Sequence, residues 1–480
     1  MSPSVEPFDE AKYKALMDGL NIKEYSFSET LNATDYFRLE ADYFTAQNLQ
    51  GNNILFAEKY IDKVQYGTSE FLNEDKQGYP ILRLNEFETY FIKEPAKYCN
   101  LISQQQYNNL KLRKGDVLVC RTNGNPDLVG RAAVIMEDCN YAFASYLFRV
   151  NVNNDITPET FVAYLQCKYG RIEIDKNSMK GNQTNFSPSK LKDVKIPHFS
   201  IELCLKITNI FEKAYNASKK AKESYTSADK LLSGYLGIAT SKNDTVSIKS
   251  LSQSFTSFGR LDAEFYQPKY DMLFDKLSEF TTFQLGGKNG LVDIKKSIEP
   301  GSDYYQEEGI PFIRVSDIDK FEIGEPNIKL PHDVVTNAES LYPQKDTILF
   351  SKDGSVGIAH KVQEDMKAIT SSALLHLTIK NTDVILPDYL TIVLNSPIVQ
   401  LQAERDTNGA IIQHWRPSDI EKVVIPVLDM EVQKEISEKV QESFELRKES
   451  KRMLECAVKA VEMAIESDEN TAIRWLEMQL

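Results

Sequence analysis

Four polar segments hold the side chains of this chain best suited to specific recognition chemistry. The first two are Arg121-Thr122-Asn123-Gly124-Asn125 and Lys180-Gly181-Asn182-Gln183-Thr184-Asn185. The other two are Ser351-Lys352-Asp353-Gly354-Ser355 and the run from Asn408-Gly409 to Gln413-His414-Trp415-Arg416. Arg offers paired donors that suit guanine, and Asn or Gln a donor–acceptor pair that suits adenine. Lys, Arg and hydroxyl groups suit phosphate oxygens. The candidate contacts are therefore Arg121, Thr122, Asn123, Asn125, Lys180, Asn182, Gln183 and Asn185, then Ser351, Lys352, Ser355, Asn408, Gln413, His414 and Arg416. Asn-Gly and Asp-Gly are also ordinary turn chemistry, because these residues accept positive φ. Taken singly, each segment reads as a turn.

Signatures of bond-making chemistry are missing. No Pro-Pro dipeptide occurs, so the Asp/Asn-Pro-Pro-Tyr/Phe motif of amino-methyltransferases is absent from the sequence. Gly124 to Gly130 lacks the spacing and the Lys-Ser/Thr of a phosphate loop. Gly354-Ser355-Val356-Gly357 has the wrong spacing for a nucleophile elbow. The histidines (198, 332, 360, 376 and 414) form no pair at helical spacing for a metal. Asp193-Val194-Lys195 has the outline of a nuclease fragment, but the matching place later in the chain is Lys422-Val423-Val424. The expectation is a chain that performs no catalysis alone and binds no metal or cofactor itself.

Composition sets the frame. The 480 residues include 56 Lys and Arg against 70 Asp and Glu, a net charge of −14. Hydrophobic residues are 42% and charged residues 26%, which is globular composition of about three domains or fewer. No apolar run reaches the ~18 residues of a membrane span. The opening Met1 to Glu6 has no signal-peptide pattern, and the 6 cysteines form no CxxC pair. A cytoplasmic protein with reduced thiols is expected. The acidity is uneven: residues 101–250 carry 21 Lys and Arg against 14 Asp and Glu. Local patches matter more than the total for attracting phosphates.

The polar segments recur because the chain repeats itself. Arg38-Leu-Glu-Ala-Asp-Tyr-Phe44 matches Arg260-Leu-Asp-Ala-Glu-Phe-Tyr266, and Gly78-Tyr-Pro-Ile-Leu-Arg83 matches Gly309-Ile-Pro-Phe-Ile-Arg314. Lys114-Gly-Asp116-Val-Leu-Val matches Lys345-Asp346-Thr-Ile-Leu-Phe, read with Asp116 on Asp346. Pro188-Ser-Lys-Leu-Lys-Asp-Val-Lys-Ile-Pro197 matches Pro417-Ser-Asp-Ile-Glu-Lys-Val-Val-Ile-Pro426. The order is kept, so two copies of one unit follow each other. Within each copy, residues 81–84, 117–120, 312–315 and 347–350 read as strands. Residues 160–166 and 389–394 read as short helices behind Pro158 and Pro387. Arg83, Arg314, Arg38 and Arg260 read as structural ion-pair residues. Arg131 and Lys361 read as outward strand residues rather than phosphate contacts.

Each copy ends in a long helical pattern. Leu203, Ile207, Ile210, Ala214, Ala217, Ala221, Ala228, Leu231 and Tyr235 fall at steps of three and four or their multiples. So do Val432, Ile436, Val440 and Phe444, then Leu454, Val458, Val461 and Ile465. A helix of ~35 residues is about 50 Å long. Such stripes need a partner, and the economical solution packs the two helices antiparallel as a coiled coil. The fold class is α+β: two tandem mixed α/β domains separated by two long helices. The division reads 1–199 as the first domain, 200–237 as a helix and 238–247 as a linker. It continues with 248–428 as the second domain, 429–467 as a helix and 468–480 as a C-terminal tail.

These features resemble the specificity subunits of type I restriction–modification systems. The resemblance rests on Lys345-Asp346-Thr-Ile-Leu-Phe-Ser351-Lys-Asp353-Gly354-Ser355-Val356-Gly357, and on Asn408-Gly409, Gln413, Pro417 and Ile425-Pro426 followed by a long helix. The first copy gives Asn182, Gln183, Pro188 and Ile196-Pro197. The resemblance implies a non-catalytic chain in which each target-recognition domain reads one half of a bipartite double-stranded DNA sequence. The helices would set the gap and dock two modification subunits that carry AdoMet and methylate adenine. Restriction subunits using ATP and Mg would complete the complex, with no membrane involved. The sequence departs from the family pattern after Ile-Pro, with Pro197-His-Phe-Ser and Pro426-Val-Leu-Asp, and its first loop has a three-residue insertion before Gly130 relative to Gly357. The residues themselves leave a second reading open: a scaffold of two protein-binding adaptor domains on a coiled coil.

Overall fold

The computed structural model describes residues 10–17, 24–32, 43–44, 53–87, 90–179, 183–237, 246–257, 259–335, 337–407 and 413–479. Arg38, Lys180, Asn182, Asn408 and linker residues 238–245 lie outside the described residues. The chain divides into two compact units: Met1–Ala217 with Glu449–Leu480, and Ser218–Lys448. These do not follow the sequence division, because each long helix contributes part of its length to each unit.

Unit 1 is built on a four-stranded antiparallel sheet in the order Ile61–Tyr66, Leu147–Val152, Val117–Cys120, Ala132–Val134. Beside it, Tyr79–Leu82 pairs antiparallel with Lys97–Cys99 and parallel with Ala142–Phe143. Unit 2 repeats both sheets. Its four strands are Val292–Lys296, Leu374–Ile379, Ile348–Ser351 and Ala359–Lys361; its three are Lys329–Leu330, Ile310–Ile313 and Ile369–Thr370. A further pair, Ile54–Phe56 with Lys195–Pro197, has its counterpart in Thr282–Gln284 with Val424–Pro426. The central strands Val117–Cys120 and Ile348–Ser351 are buried throughout, which accounts for their uninterrupted apolar sequence up to Cys120 and Phe350.

Two helices cover each sheet: Pro158–Gln166 and Lys168–Asn177 in unit 1, Pro387–Leu394 and Pro397–Asp406 in unit 2. Prolines sit at the first position of three of them, where a missing N–H costs nothing. Tyr164 and Tyr389, both buried, donate their hydroxyls to the carbonyls of Lys195 and Pro426 and so fix each helix to the closing strand.

Strand register corrects one sequence match. Val117 and Ile348 are equivalent, since each opens the central strand and pairs with the same two neighbours. Gly115 therefore corresponds to Asp346, not Asp116. Both have positive φ, +87° and +65°, a region that Asp tolerates better than most residues. Asp116 instead forms a buried ion pair with Arg149 at 3.0 Å. In unit 2 the position of Arg149 is taken by His376, which faces Leu349 as Arg149 faces Leu118. Lys361, expected to point outward, is buried and pairs with Asp388 at 2.7 Å and Asp346 at 3.5 Å. Arg83 and Arg314 do form local ion pairs, with Glu86 at 2.5 Å and Asp317 at 3.6 Å, just after their strands. Arg260 pairs with Asp262.

The long helices run Ile201–Leu236 and Met430–Glu466. Within unit 1, Ser450 Oγ donates to the Ala214 carbonyl at 2.8 Å, and the Ser200 N–H donates to Glu469 at 2.8 Å. Within unit 2, Ser443 Oγ donates to the Ala221 carbonyl at 2.7 Å and Ser224 Oγ to the Lys439 carbonyl at 3.0 Å. Rising numbers on one helix meet falling numbers on the other, so the pairing is antiparallel in each unit. Alanines permit the close approach, and the serines satisfy themselves across it. From Tyr225 onward the buried face is Tyr225, Ala228, Leu232 and Leu236; Tyr235, assigned to the stripe, is exposed. Residues 468–480, expected as a tail, carry the helix Glu469–Gln479, whose Ala472, Ile473 and Leu476 enter the core of unit 1.

His376 generates a pH prediction. Its ring bonds Thr370 Oγ1 at 2.8 Å, and burial, aided by Lys295, lowers its pKa to about 4. The unfolded imidazole binds a proton first, so stability is present above about pH 6.5 and is lost as pH falls toward 4. His376→Gln should remove this part of the acid sensitivity, worth up to about 3 kcal/mol, when unfolding free energies at pH 7 and pH 4.5 are compared with the unsubstituted chain.

Candidate nucleic-acid interface

The polar segments meet in each unit. In unit 1, Thr122–Asn123 pairs antiparallel with Thr184–Asn185, and the Phe186 N–H donates to the Arg121 carbonyl at 2.8 Å. In unit 2, Asp353 bridges His414, the Gly354 N–H donates to the Gln413 carbonyl at 3.0 Å, and the Trp415 N–H donates to the Lys352 carbonyl at 2.8 Å. Phe186 and Trp415 are both buried. Each locks its segment down at the same register, one as the counterpart of the other. Sequence reasoning missed their role, although the spacing Phe186-x-Pro188 and Trp415-x-Pro417 marks it.

The loops are aimed by glycine. Gly130 and Gly357 follow the first loop of each unit with φ of +74° and +86°. A Cβ on Gly130 would meet Ile174 Cγ2 at 2.4 Å, so the helix Lys168–Asn177 packs where only glycine leaves room.

The predicted residues have distinct surroundings. Arg121 is half-buried: its guanidinium carbon lies 5.1 Å from the centre of the Tyr66 ring, Nη1 donates to the Ser145 carbonyl at 3.3 Å, and Nε has no partner. Thr122 Oγ1 donates to the Thr184 carbonyl at 3.2 Å. Asn123 Oδ1 accepts from the Asn125 N–H at 2.9 Å, and Asn125 Oδ1 from the Asp127 N–H at 3.0 Å. Those oxygens thus serve turns. Gln183 is exposed, and Asn185 is held by the Met179 backbone on one side and Thr122 on the other.

In unit 2, Ser351 is not the surface donor expected: it is fully buried, and its hydroxyl donates to the Ser355 carbonyl at 2.5 Å and accepts from the Ile358 N–H at 2.8 Å. The chain must turn back at Gly354, and this hydroxyl closes the turn. Lys352 pairs with Asp353, which also bonds His414 Nδ1 at 2.8 Å. Ser355, Gln413 and Arg416 are exposed, as is most of His414.

Below the first loop, Arg131 Nε and Arg171 Nη2 both donate to the Asp127 carbonyl at 3.1 Å, and burial together with Arg131 lowers the Arg171 pKa. Cys120 is no nucleophile, because burial pushes its thiol up to about 12. Among the described residues no His, Cys, Asp and Glu cluster could hold a metal ion, and no helix is long and apolar enough to cross a membrane.

Comparison with known proteins shows what the chain is similar to. Residues 275–455 match the type I restriction modification DNA specificity domain, a span covering most of unit 2 and running into the second long helix. The EcoBI specificity subunit of Escherichia coli is 25% identical over 148 residues, 31% of this chain and 31% of that protein. The EcoKI specificity subunit of Escherichia coli strain K12 is 27% identical over 104 residues, 21% of this chain and 22% of that protein. The chain therefore matches less than a third of the length of these curated relatives. Among solved structures, the S subunit of a type I system from M. genitalium aligns over 88% of this chain and 97% of its own, with 12% identity and a TM-score of 0.39. An HsdS subunit from Thermoanaerobacter tengcongensis aligns over 86% and 96%, with 13% identity and a TM-score of 0.28. Residues 275–455 match the family model of the type I restriction modification DNA specificity domain, and the resemblance read from the repeated motifs is borne out.

Trp415 should carry the second site's architecture. Trp415→Ala removes a ring that packs 5.8 Å from Phe350 and leaves a cavity. Unit 2 should lose about 3 to 5 kcal/mol in denaturant unfolding. Arg416→Ala, on the exposed neighbour, should leave the unfolding midpoint unchanged.

Proposed function

We propose that this chain is the DNA-specificity subunit of a type I restriction–modification complex and that each unit reads one half of a split duplex target. The observation that carries the reading is the matched convergence of two polar loops in each unit, locked by Phe186 bonding Arg121 and by Trp415 bonding Lys352. The convergence leaves exposed polar side chains beside one another, Gln183 next to the Arg121 loop in unit 1 and Ser355, Gln413, His414 and Arg416 in unit 2. The long helices, as an antiparallel coiled coil, set the non-specific gap between the half-sites, as the spacing of linked recognition elements does in other DNA-binding proteins. They also dock two modification subunits, which bring AdoMet and methylate adenine. Restriction subunits supply ATP- and Mg-dependent cleavage. The chain itself contributes recognition and no catalysis.

Competition binding on the assembled complex tests this reading. Affinity should fall by orders of magnitude between about 50 and 200 mM salt, because phosphate contacts release counterions. A protein-binding scaffold would show no such DNA affinity. Arg121→Ala should relax discrimination at one half-site by about 1 to 3 kcal/mol and leave the other half unchanged. Equal weakening on every sequence would make Arg121 a phosphate contact instead.

A further inference from the structure

The repeat allows the two recognition edges to be compared position by position. In unit 1, Tyr66 ends its strand opposite Phe148, and the Arg121 N–H donates to the Tyr146 carbonyl at 2.8 Å. Met179 exchanges both backbone hydrogen bonds with Asn185, at 2.9 and 3.0 Å, and Asn185 pairs with Thr122. Tyr66, Tyr146 and Met179 are 48%, 54% and 63% exposed. An apolar fringe therefore borders the Arg121 loop.

Among the described residues, unit 2 has neither tyrosine at the equivalent place, and the counterpart of Met179 lies outside the described residues. Lys296, opposite Leu375, stands where Tyr66 does. The Lys352 N–H donates at 2.9 Å to the carbonyl of Ala373, which stands where Tyr146 does. Lys352 turns to Asp353 rather than to a ring. One edge presents aromatic faces around a guanidinium; at the matching described positions the other holds Lys296 and the Lys352–Asp353 pair.

We infer that unit 1 recognises thymine C5-methyl groups through Tyr66, Tyr146 and Met179 beside Arg121, whereas the places of the two tyrosines in unit 2 are held by Lys296 and Ala373. The inference rests on the specificity reading above and deepens it. The thymine methyl is the apolar feature that the major groove offers to such a fringe. Arg121 supplies the charge complementarity to the duplex, and its head group is already oriented by the Tyr66 ring and the Ser145 carbonyl, so less freedom is lost on binding. Burying one methyl is worth about fourfold in affinity.

The test replaces each thymine of both half-sites, one at a time, with deoxyuridine, which lacks only the methyl. Binding is measured with the complex of this chain and its modification subunits on the duplex that the complex methylates. One half-site should contain positions where the replacement costs about fourfold. Tyr146→Ala or Met179→Ala should abolish that cost at one or more of these positions; Tyr146→Phe and Lys352→Ala should preserve it. The exposed positions of Tyr146 and Met179 make these variants compatible with folding. Indifference to deoxyuridine everywhere, a target with no thymine in either half, or a cost retained in both alanine variants would overturn the inference alone. Failure of the unsubstituted complex to prefer any split sequence over scrambled DNA would contradict the specificity reading, and the inference with it.

Discussion

An apolar stripe along a 36-residue helix cannot remain in water, and the rest of this structure follows from how the stripe is covered. Small residues on one long helix let the other approach, and Ser443, Ser450 and Ser224 donate across the gap to backbone carbonyls. Each unit then completes its core with stretches of both helices. Leu203, Ile207 and Ile210 join Ala457 and Val461 in unit 1; Leu232 and Leu236 join Ile436 and Val440 in unit 2. Within a unit, sheet, covering helices and spacer segments share one core, so the loops on the sheet are held by the same packing that holds the helices.

On that shared frame the two units have diverged. Strand order, covering helices, the Tyr164 and Tyr389 locks and the positive-φ glycines are kept, because they set the backbone. Buried polar chemistry is not: Arg149 with Asp116 in one unit is replaced by neutral His376 with Thr370 in the other. The loops differ most, with Arg121 against Tyr66 in one and Lys352 and His414 on Asp353 in the other. Conserved geometry with altered contact chemistry is what a module needs if it is to read different bases from the same position.

Much of this was legible in the sequence. The repeat, the central strands, the helices behind Pro158 and Pro387, and both long helices follow from period, turn residues and proline placement. The helices Lys168–Asn177 and Pro397–Asp406 were not legible, since their stripes are weak and they are held by tertiary packing. Lys361 was misread because alternation along a strand does not reveal a carboxylate such as Asp388 waiting on a covering helix. Composition alone could not separate Ser351, closed within its turn, from exposed Ser355. The pairing of the loops was hidden for the same reason: backbone bonds such as Phe186 to Arg121 join residues distant in sequence and leave no local pattern.

The most direct measurement is a map of N6-methyladenine across the host genome, by single-molecule sequencing, with this gene intact and deleted. If each unit reads half of a divided target, one split motif loses its methylation on deletion and no continuous motif changes. An unchanged map in a host whose modification subunits are expressed and active would contradict the account.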